Sequence, residues 1–246
     1  MLPPPLPRQI EVLQYVLDRV AVESADGGRP PVVAFGLDGT LLDTRTRTLH
    51  ILRELAEEIR GEAADVAEAL ESLVPAEVHS LLGETLRGVG IVQAPLVRRI
   101  TQFWRSRFYE EAYLPLDVAC PGGVDYVRRL HAAGALVVYV SGRDVPGMLA
   151  GTVESLRDHG FPIVELGVSL VMKPDATLGD DAFFRSTVPA LERLGDLVAL
   201  FDCDPVVCEL TRAVHPNAAV GLVDHWPPNP YEGLEGVDRI HDFRMG

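Results

Sequence analysis

The stretch Val32-Val33-Ala34-Phe35-Gly36-Leu37-Asp38-Gly39-Thr40 decides how this chain is read. Its four consecutive apolar residues, β-branched and aromatic in character, suit a strand buried on both faces rather than an alternating surface strand. The run stops at Gly36-Leu37-Asp38-Gly39-Thr40, where a glycine lets backbone amides turn toward an anion while the Asp38 carboxylate points into a crevice. A plain β-turn with Asp and Gly has the same local sequence, so the neighbouring segments must decide between the two.

The pattern repeats downstream. Ala135 to Val140 is a second buried apolar run, ending at Ser141-Gly142-Arg143-Asp144. Val168 to Met172 runs into Lys173-Pro174-Asp175, Leu197 to Phe201 ends at Asp202-Cys203-Asp204-Pro205, and Ala219 to Val223 is a fifth short run. Helical spacing fills the intervals: a helix opened by Pro121-Gly122-Gly123 and closed by Gly134, one through Leu156 closed by Gly160, one around Phe183 to Leu194, and one holding Cys208 and Leu210. Strands alternating with helices of about 12 residues imply an α/β fold, a doubly wound, Rossmann-like parallel sheet with right-handed crossovers. Ligands of such sheets lie beyond the carboxyl ends of the strands, where four of the five runs end in polar or glycine-containing clusters.

Two segments stand outside that alternation. Ile10, Leu13, Val16, Leu17 and Val20 predict an amphipathic helix over residues 8–23. From Leu49 to Tyr113 the pattern is helical almost throughout, with stripes at Leu52, Leu55, Ala56 and Ile59, at Val66, Leu70 and Leu73, and at Leu96, Ile100, Phe103 and Trp104. Residues 1–44 and 115–246 are therefore expected to form the core, and residues 45–114 a small all-helical block inserted after the first core strand. The segment His225 to Pro230, rich in proline and aromatic residues, reads as an ordered wrap.

Composition narrows the function classes. The 246 residues carry 36 acidic and 22 basic side chains, a formal net charge of −14, which disfavours nucleic acid and anionic lipid surfaces as partners. Cys120, Cys203 and Cys208 form no CxxC pair and read as small buried thiols. Met1 to Pro7 lacks the basic start and apolar run of a signal peptide, and no apolar stretch reaches the roughly 18 residues of a spanning helix, so a cytoplasmic protein is expected. Oligomeric state is not legible.

The strand-end clusters offer specific chemistry. Ser141 and the Gly142 amide suit a phosphoryl oxygen, although a serine that caps the next helix reads the same way. Lys173 is either a compact positive charge for a phosphate or a solvated loop lysine. Asp202 and Asp204 flank Cys203 in a spacing that suits a hard cation, while Asp204 before Pro205 reads best as a helix N-cap. Arg143 and Asp144 read as a surface ion pair capping a helix rather than as substrate contacts, the histidines His79, His131 and His159 show no metal-ligand spacing, and Phe103 and Trp104 read as core of the helical block rather than as a substrate platform.

Taken together and in this order, the four clusters resemble the haloacid dehalogenase superfamily, most of whose members are magnesium-dependent phosphatases. The resemblance covers residues 32–223, through Val32 to Thr44, Val138 to Arg143, Met172-Lys173-Pro174 and Ala199 to Asp204. It implies that the helical block is a cap closing over a small phosphorylated substrate. It assigns Asp38 to general acid/base catalysis, Ser141 and Lys173 to the reacting group, and Gly39, Thr40 and Gly142 to phosphate binding. It also implies a Mg2+ held by the Asp38 carbonyl, by Asp202 and, in place of the second acid, by Asp204.

One departure dominates that expectation. The family's aspartate nucleophile, which forms an aspartyl phosphate and also ligates the metal, stands two residues before the acid/base, and here the position is Gly36. Where many relatives carry a second acid four positions after the first, this chain has Val206. Two readings follow: a phosphohydrolase for a small phosphomonoester impaired by loss of its nucleophile, or a degenerate relative that binds a phosphorylated metabolite or a protein partner without turnover. Dehalogenase or phosphomutase chemistry is a third class, less favoured because Lys173 and the Asp38-Gly39-Thr40 loop lean toward phosphoryl transfer.

Overall fold

In the computed structural model, which describes residues 4–224 and 234–246, the chain opens with helix α1 (Pro7–Ala25) and strand β1 (Pro31–Gly36), followed by the two-residue β2 (Leu42–Asp43). Four helices come next, α2 (Arg45–Ile59), α3 (Ala64–Ser72), α4 (Leu82–Gly88) and α5 (Ala94–Phe108), and then the short β3 (Val118–Ala119). The alternation begins with α6 (Gly123–Ala132), β4 (Leu136–Asp144), α7 (Val145–His159) and β5 (Val168–Lys173). It continues through α8 (Asp180–Ala190), β6 (Asp196–Asp202), α9 (Pro205–Val214), β7 (Ala219–Val223) and β8 (Asp238–Ile240).

Among the described residues, six strands form one parallel sheet in the order β5-β4-β1-β6-β7-β8. Every residue of β1 is buried, and Ala34 sits in register with Val138 on one side and Leu200 on the other. Because successive side chains leave a strand on opposite faces, Val33, Phe35, Tyr139 and Phe201 pack with α1 and α6, while Val32, Ala34, Val138 and Leu200 pack with α8 and α9. The apolar run that announced β1 is thus covered on both sides.

After β1 the chain builds outward through β4 and β5, then crosses back to β6 on the other flank, which makes β1 the topological switch point. A crevice opens beyond its carboxyl end. Helices α2 to α5 bury their own cluster, including Leu52, Leu55, Ile59, Leu70, Leu86 and Ile100. The antiparallel pairing of Leu42 with Ala119 ties the chain's exit into this block to its return.

The sixth strand, β8, was not legible: three residues give too little periodicity, and it exists because Val223 pairs with Ile240. The expected wrap over His225 to Pro230 lies outside the described residues. No described helix is long and apolar enough to cross a membrane.

Gly122 shows why glycine opens α6. Its φ is +75°, and a Cβ there would stand 2.5 Å from the carbonyl carbon of Phe243, whose ring packs at 5.9 Å on Phe35 and 5.6 Å on Tyr126. Gly122→Ala is therefore expected to lower the unfolding free energy by about 1–3 kcal/mol, read by chemical denaturation; an unchanged midpoint would contradict this packing.

Candidate functional site

Gly36, Asp38, Ser141, Gly142, Asp202 and Asp204 line one cavity of about 190 Å³, joined there by Cys203, Phe108, Tyr109, Asp180 and Phe184. Lys173 reaches its edge and ion-pairs with Asp180 at 2.8 Å. The structure therefore gathers the strand-end residues at the switch point. Gly39 faces an adjoining chamber, and Thr40 lies fully buried beneath, its hydroxyl accepting the Cys203 amide at 2.9 Å. The amides of Gly39 and Thr40 close the turn on the carbonyls of Leu42 and Leu37, at 2.8 and 3.0 Å. The Ser141 hydroxyl accepts the Arg143 amide at 3.2 Å.

The centre of the site is a closed ring of charge. Arg143 forks onto Asp38, with Nε 2.9 Å from Oδ2 and Nη2 2.6 Å from Oδ1, and Arg47 reaches the same Oδ1 at 2.6 Å. Both guanidiniums also pair with Asp117, Arg143 at 2.8 Å and Arg47 at 3.0 Å. Arg47 donates further to the Phe108 carbonyl at 2.8 Å, with its guanidinium 3.9 Å above the Phe108 ring, and Arg143 donates to the Thr152 hydroxyl at 3.2 Å. Arg47 is 0% exposed and Arg143 1%.

The expectation of a surface ion pair at Arg143 is thus corrected: β4 runs on past Ser141 with a register shift and carries the side chain inward. Asp144 alone does the capping, accepting the Gly147 amide at 2.9 Å. Asp204 caps α9 in the same way through the Val206 amide at 2.8 Å.

The ring sets the protonation of its members. Burial by itself would push the Asp38 carboxyl up, but the Arg143 and Arg47 guanidiniums override it and hold the group below the usual carboxylate range. Asp117 is raised to about 6, because burial outweighs the help of the same arginines. Burial likewise pushes the Cys203 thiol well up, with Asp202 adding to the effect, so it carries no thiolate near neutrality.

The surroundings of Gly36 are closed. A Cβ there would stand 2.5 Å from Asp202 Oδ2 and 2.9 Å from Thr40 Oγ1, so the Asp202 carboxylate fills the space that a longer side chain at position 36 needs. Asp202 Oδ1 accepts the Asp204 amide at 2.8 Å, and burial pushes its carboxyl up to about 7. These residues do not fit a Mg2+ site. Magnesium requires an octahedron of hard oxygens, whereas here position 36 offers no oxygen, Asp204 caps α9, the Asp38 carbonyl receives the Cys203 thiol at 3.3 Å, and one Asp202 oxygen is taken by the Asp204 amide. Among the described residues, no three His, Cys, Asp or Glu side chains gather to hold a metal.

Arg47, Asp117, Tyr109 and Asp180 were missed in the sequence. For Arg47 a signal existed: it continues the buried stripe Ile51, Leu55 and Ile59 of α2 at intervals of four, and a charge on an apolar stripe must find a partner. Breaking the ring by Arg143→Ala is expected to cost about 3–5 kcal/mol of stability, since it strands buried carboxylates. Lys173→Ala removes a pair whose aspartate is 62% exposed and is expected to cost less than about 1 kcal/mol. Equal losses in denaturant titrations would contradict the contrast.

No protein-family model and no curated protein matches the sequence. Solved structures do match. A protein from Bacteroides fragilis described as a haloacid dehalogenase-like hydrolase shares 15% identity over 82% of this chain and 90% of that one, with a TM-score of 0.51. One from Clostridium difficile described as a phosphatase shares 13% identity over 79% and 85%, with a TM-score of 0.52. The Mycobacterium tuberculosis Protein Tyrosine Kinase A shares 18% over 86% and 93%, with a TM-score of 0.53. Identities this low establish the fold alone, and the three differ in described activity.

Proposed function

We propose that this chain, which has the fold of haloacid dehalogenase-like hydrolases, does not hydrolyse phosphomonoesters and binds a small phosphorylated molecule between its core, residues 1–44 and 115–246, and a helical cap, residues 45–114. The observation that carries the reading is the fork of Arg47 and Arg143 on Asp38. A general acid must hold a proton at working pH and give it up to the leaving group, and a carboxylate gripped by two buried guanidiniums does neither. Gly36 supplies no nucleophile, a loss on the order of a million-fold in turnover for covalent catalysts. Two separate chemical functions are therefore missing.

Arg47, Asp117 and Arg143 are positions separate from Gly36, so the loss of acid/base capacity does not follow from the loss of the nucleophile. This favours a chain adapted to binding over a phosphatase with one introduced change. Gly36→Asp restores a carboxylate once the Asp202 side chain, 2.5 Å from a Cβ there, rotates aside, but it does not free Asp38 from the two arginines. That variant is expected to release no phosphate from 4-nitrophenyl phosphate with or without Mg2+. Magnesium-dependent release would overturn the proposal.

What remains for an anion is the first cavity's Ser141 hydroxyl, its Gly142 backbone and Lys173. Asp180 stands in the way, ion-paired with Lys173 and placed so that a Cβ on Gly142 would lie 3.1 Å from its Oδ1. A bound phosphate must displace this carboxylate, a contest between anions for one ammonium. Because exposed pairs of this kind are worth about 1 kcal/mol or less, Asp180→Asn is expected to tighten inorganic phosphate binding about three- to fivefold by calorimetry. Unchanged or weaker binding would contradict this account of the anion site.

A further inference from the structure

A second chamber opens beside the first and has no role in the readings above. It has a volume of about 200 Å³, is lined by Trp104, Phe108, Tyr109, Leu82, Thr44, Thr48 and His79, and shares Asp38, Phe108, Tyr109 and Cys203 with the anion chamber. We infer that it takes the body of the ligand and that this body is a single aromatic ring, so that the molecule bound is a monocyclic aryl phosphate. The inference rests on the phosphate-binding reading and adds what the phosphate is attached to.

Three observations carry it. The wall is aromatic and fixed: the Trp104 indole N–H donates to Thr48 Oγ1 at 3.2 Å, its ring tilts on Phe108 with centroids 4.3 Å apart, and Tyr109 sets an edge against Phe108 at 5.2 Å. Arg47 holds the Phe108 ring through its guanidinium, so the charge ring that fixes Asp38 also fixes this wall. Such a surface binds a ring by offset or edge contact without ordering new side chains.

Size gives the second observation. A cavity of about 150 Å³ lined by apolar side chains holds one benzene ring, so about 200 Å³ suits one substituted ring. Polarity gives the third. A sugar or polyol of the same size would need a partner for each hydroxyl, but Thr44 and Thr48 are 3% and 4% exposed and Thr48 is already used by Trp104, so the wall away from the Asp38 and Tyr109 junction is mainly the apolar surface of Trp104, Phe108 and Leu82. Tyr109 lies at the junction of the chambers, its phenol pKa raised by burial and by the facing Asp180 and Asp38.

The test compares the dissociation constants of inorganic phosphate, glycerol 3-phosphate and phenyl phosphate for the full chain by calorimetry, with tryptophan fluorescence as a second readout. Phenyl phosphate is expected to bind at least tenfold tighter than either of the others and to quench Trp104. Trp104→Leu is expected to abolish both the preference and the quench while leaving inorganic phosphate binding unchanged, which also reports that the variant is folded. Glycerol 3-phosphate binding as tightly as phenyl phosphate, or phenyl phosphate binding no tighter than inorganic phosphate, would overturn the aryl assignment alone. No binding of any of the three would overturn the phosphate-binding reading beneath it. Should Trp104→Leu fail to fold, Tyr109→Leu, at a side chain 44% exposed, serves in its place with the same expected loss of preference.

Discussion

Two buried arginines, the buried Asp117 and the part-buried Asp38 meet where the helical block joins the sheet. Taking four ions out of water is costly, and the cost is offset only if all four meet with good geometry. They come from four places: Asp38 from the loop after β1, Arg47 from the first helix of the helical block, Asp117 from the segment returning from that block, and Arg143 from the end of β4. The ring therefore joins the helical block to the sheet at the switch point. The same contacts that fix this join deprive Asp38 of a proton to give.

The neighbourhood of Gly36 shows a second consequence of small local choices. Asp202 Oδ2 lies 2.5 Å from where a Cβ at position 36 would stand, its Oδ1 accepts the Asp204 amide, and burial pushes its carboxyl up to about 7. Lys173 pairs with Asp180 at 2.8 Å. Arg47 Nε and Asp117 Oδ1 stand 3.0 Å apart as an ion pair without a hydrogen bond. Structures sharing the fold under the descriptions hydrolase, phosphatase and tyrosine kinase illustrate how little the architecture alone dictates.

Much of this was legible in the sequence because parallel strands buried on both faces leave long apolar runs and their ends leave polar punctuation. β1, β4, β5, β6 and β7 announce themselves in that way, as do the α2–α5 stripes. β8 and the β2–β3 pair are set by tertiary pairing of two or three residues, which no periodicity marks. In the site, the residues at strand ends were legible, and those delivered from elsewhere were not. Arg143 looked like a surface residue because a strand extended by a register shift cannot be told from a loop. Asp117, in the segment returning from the helical block, has no motif. Trp104 proved to be wall of a chamber, while Phe103 packs within the helical block under the Arg107 guanidinium.

The most direct measurement is the titration of the Asp38 carboxyl carbon by NMR in the unmodified chain. An ordinary aspartate is half protonated at about pH 3.9. The account predicts that Asp38 still gives the carboxylate signal at that pH and that Arg143→Lys, which loses the fork, raises its midpoint. A midpoint for the unmodified chain at or above the ordinary value would mean that the two arginines do not hold Asp38 ionised, and would contradict the account.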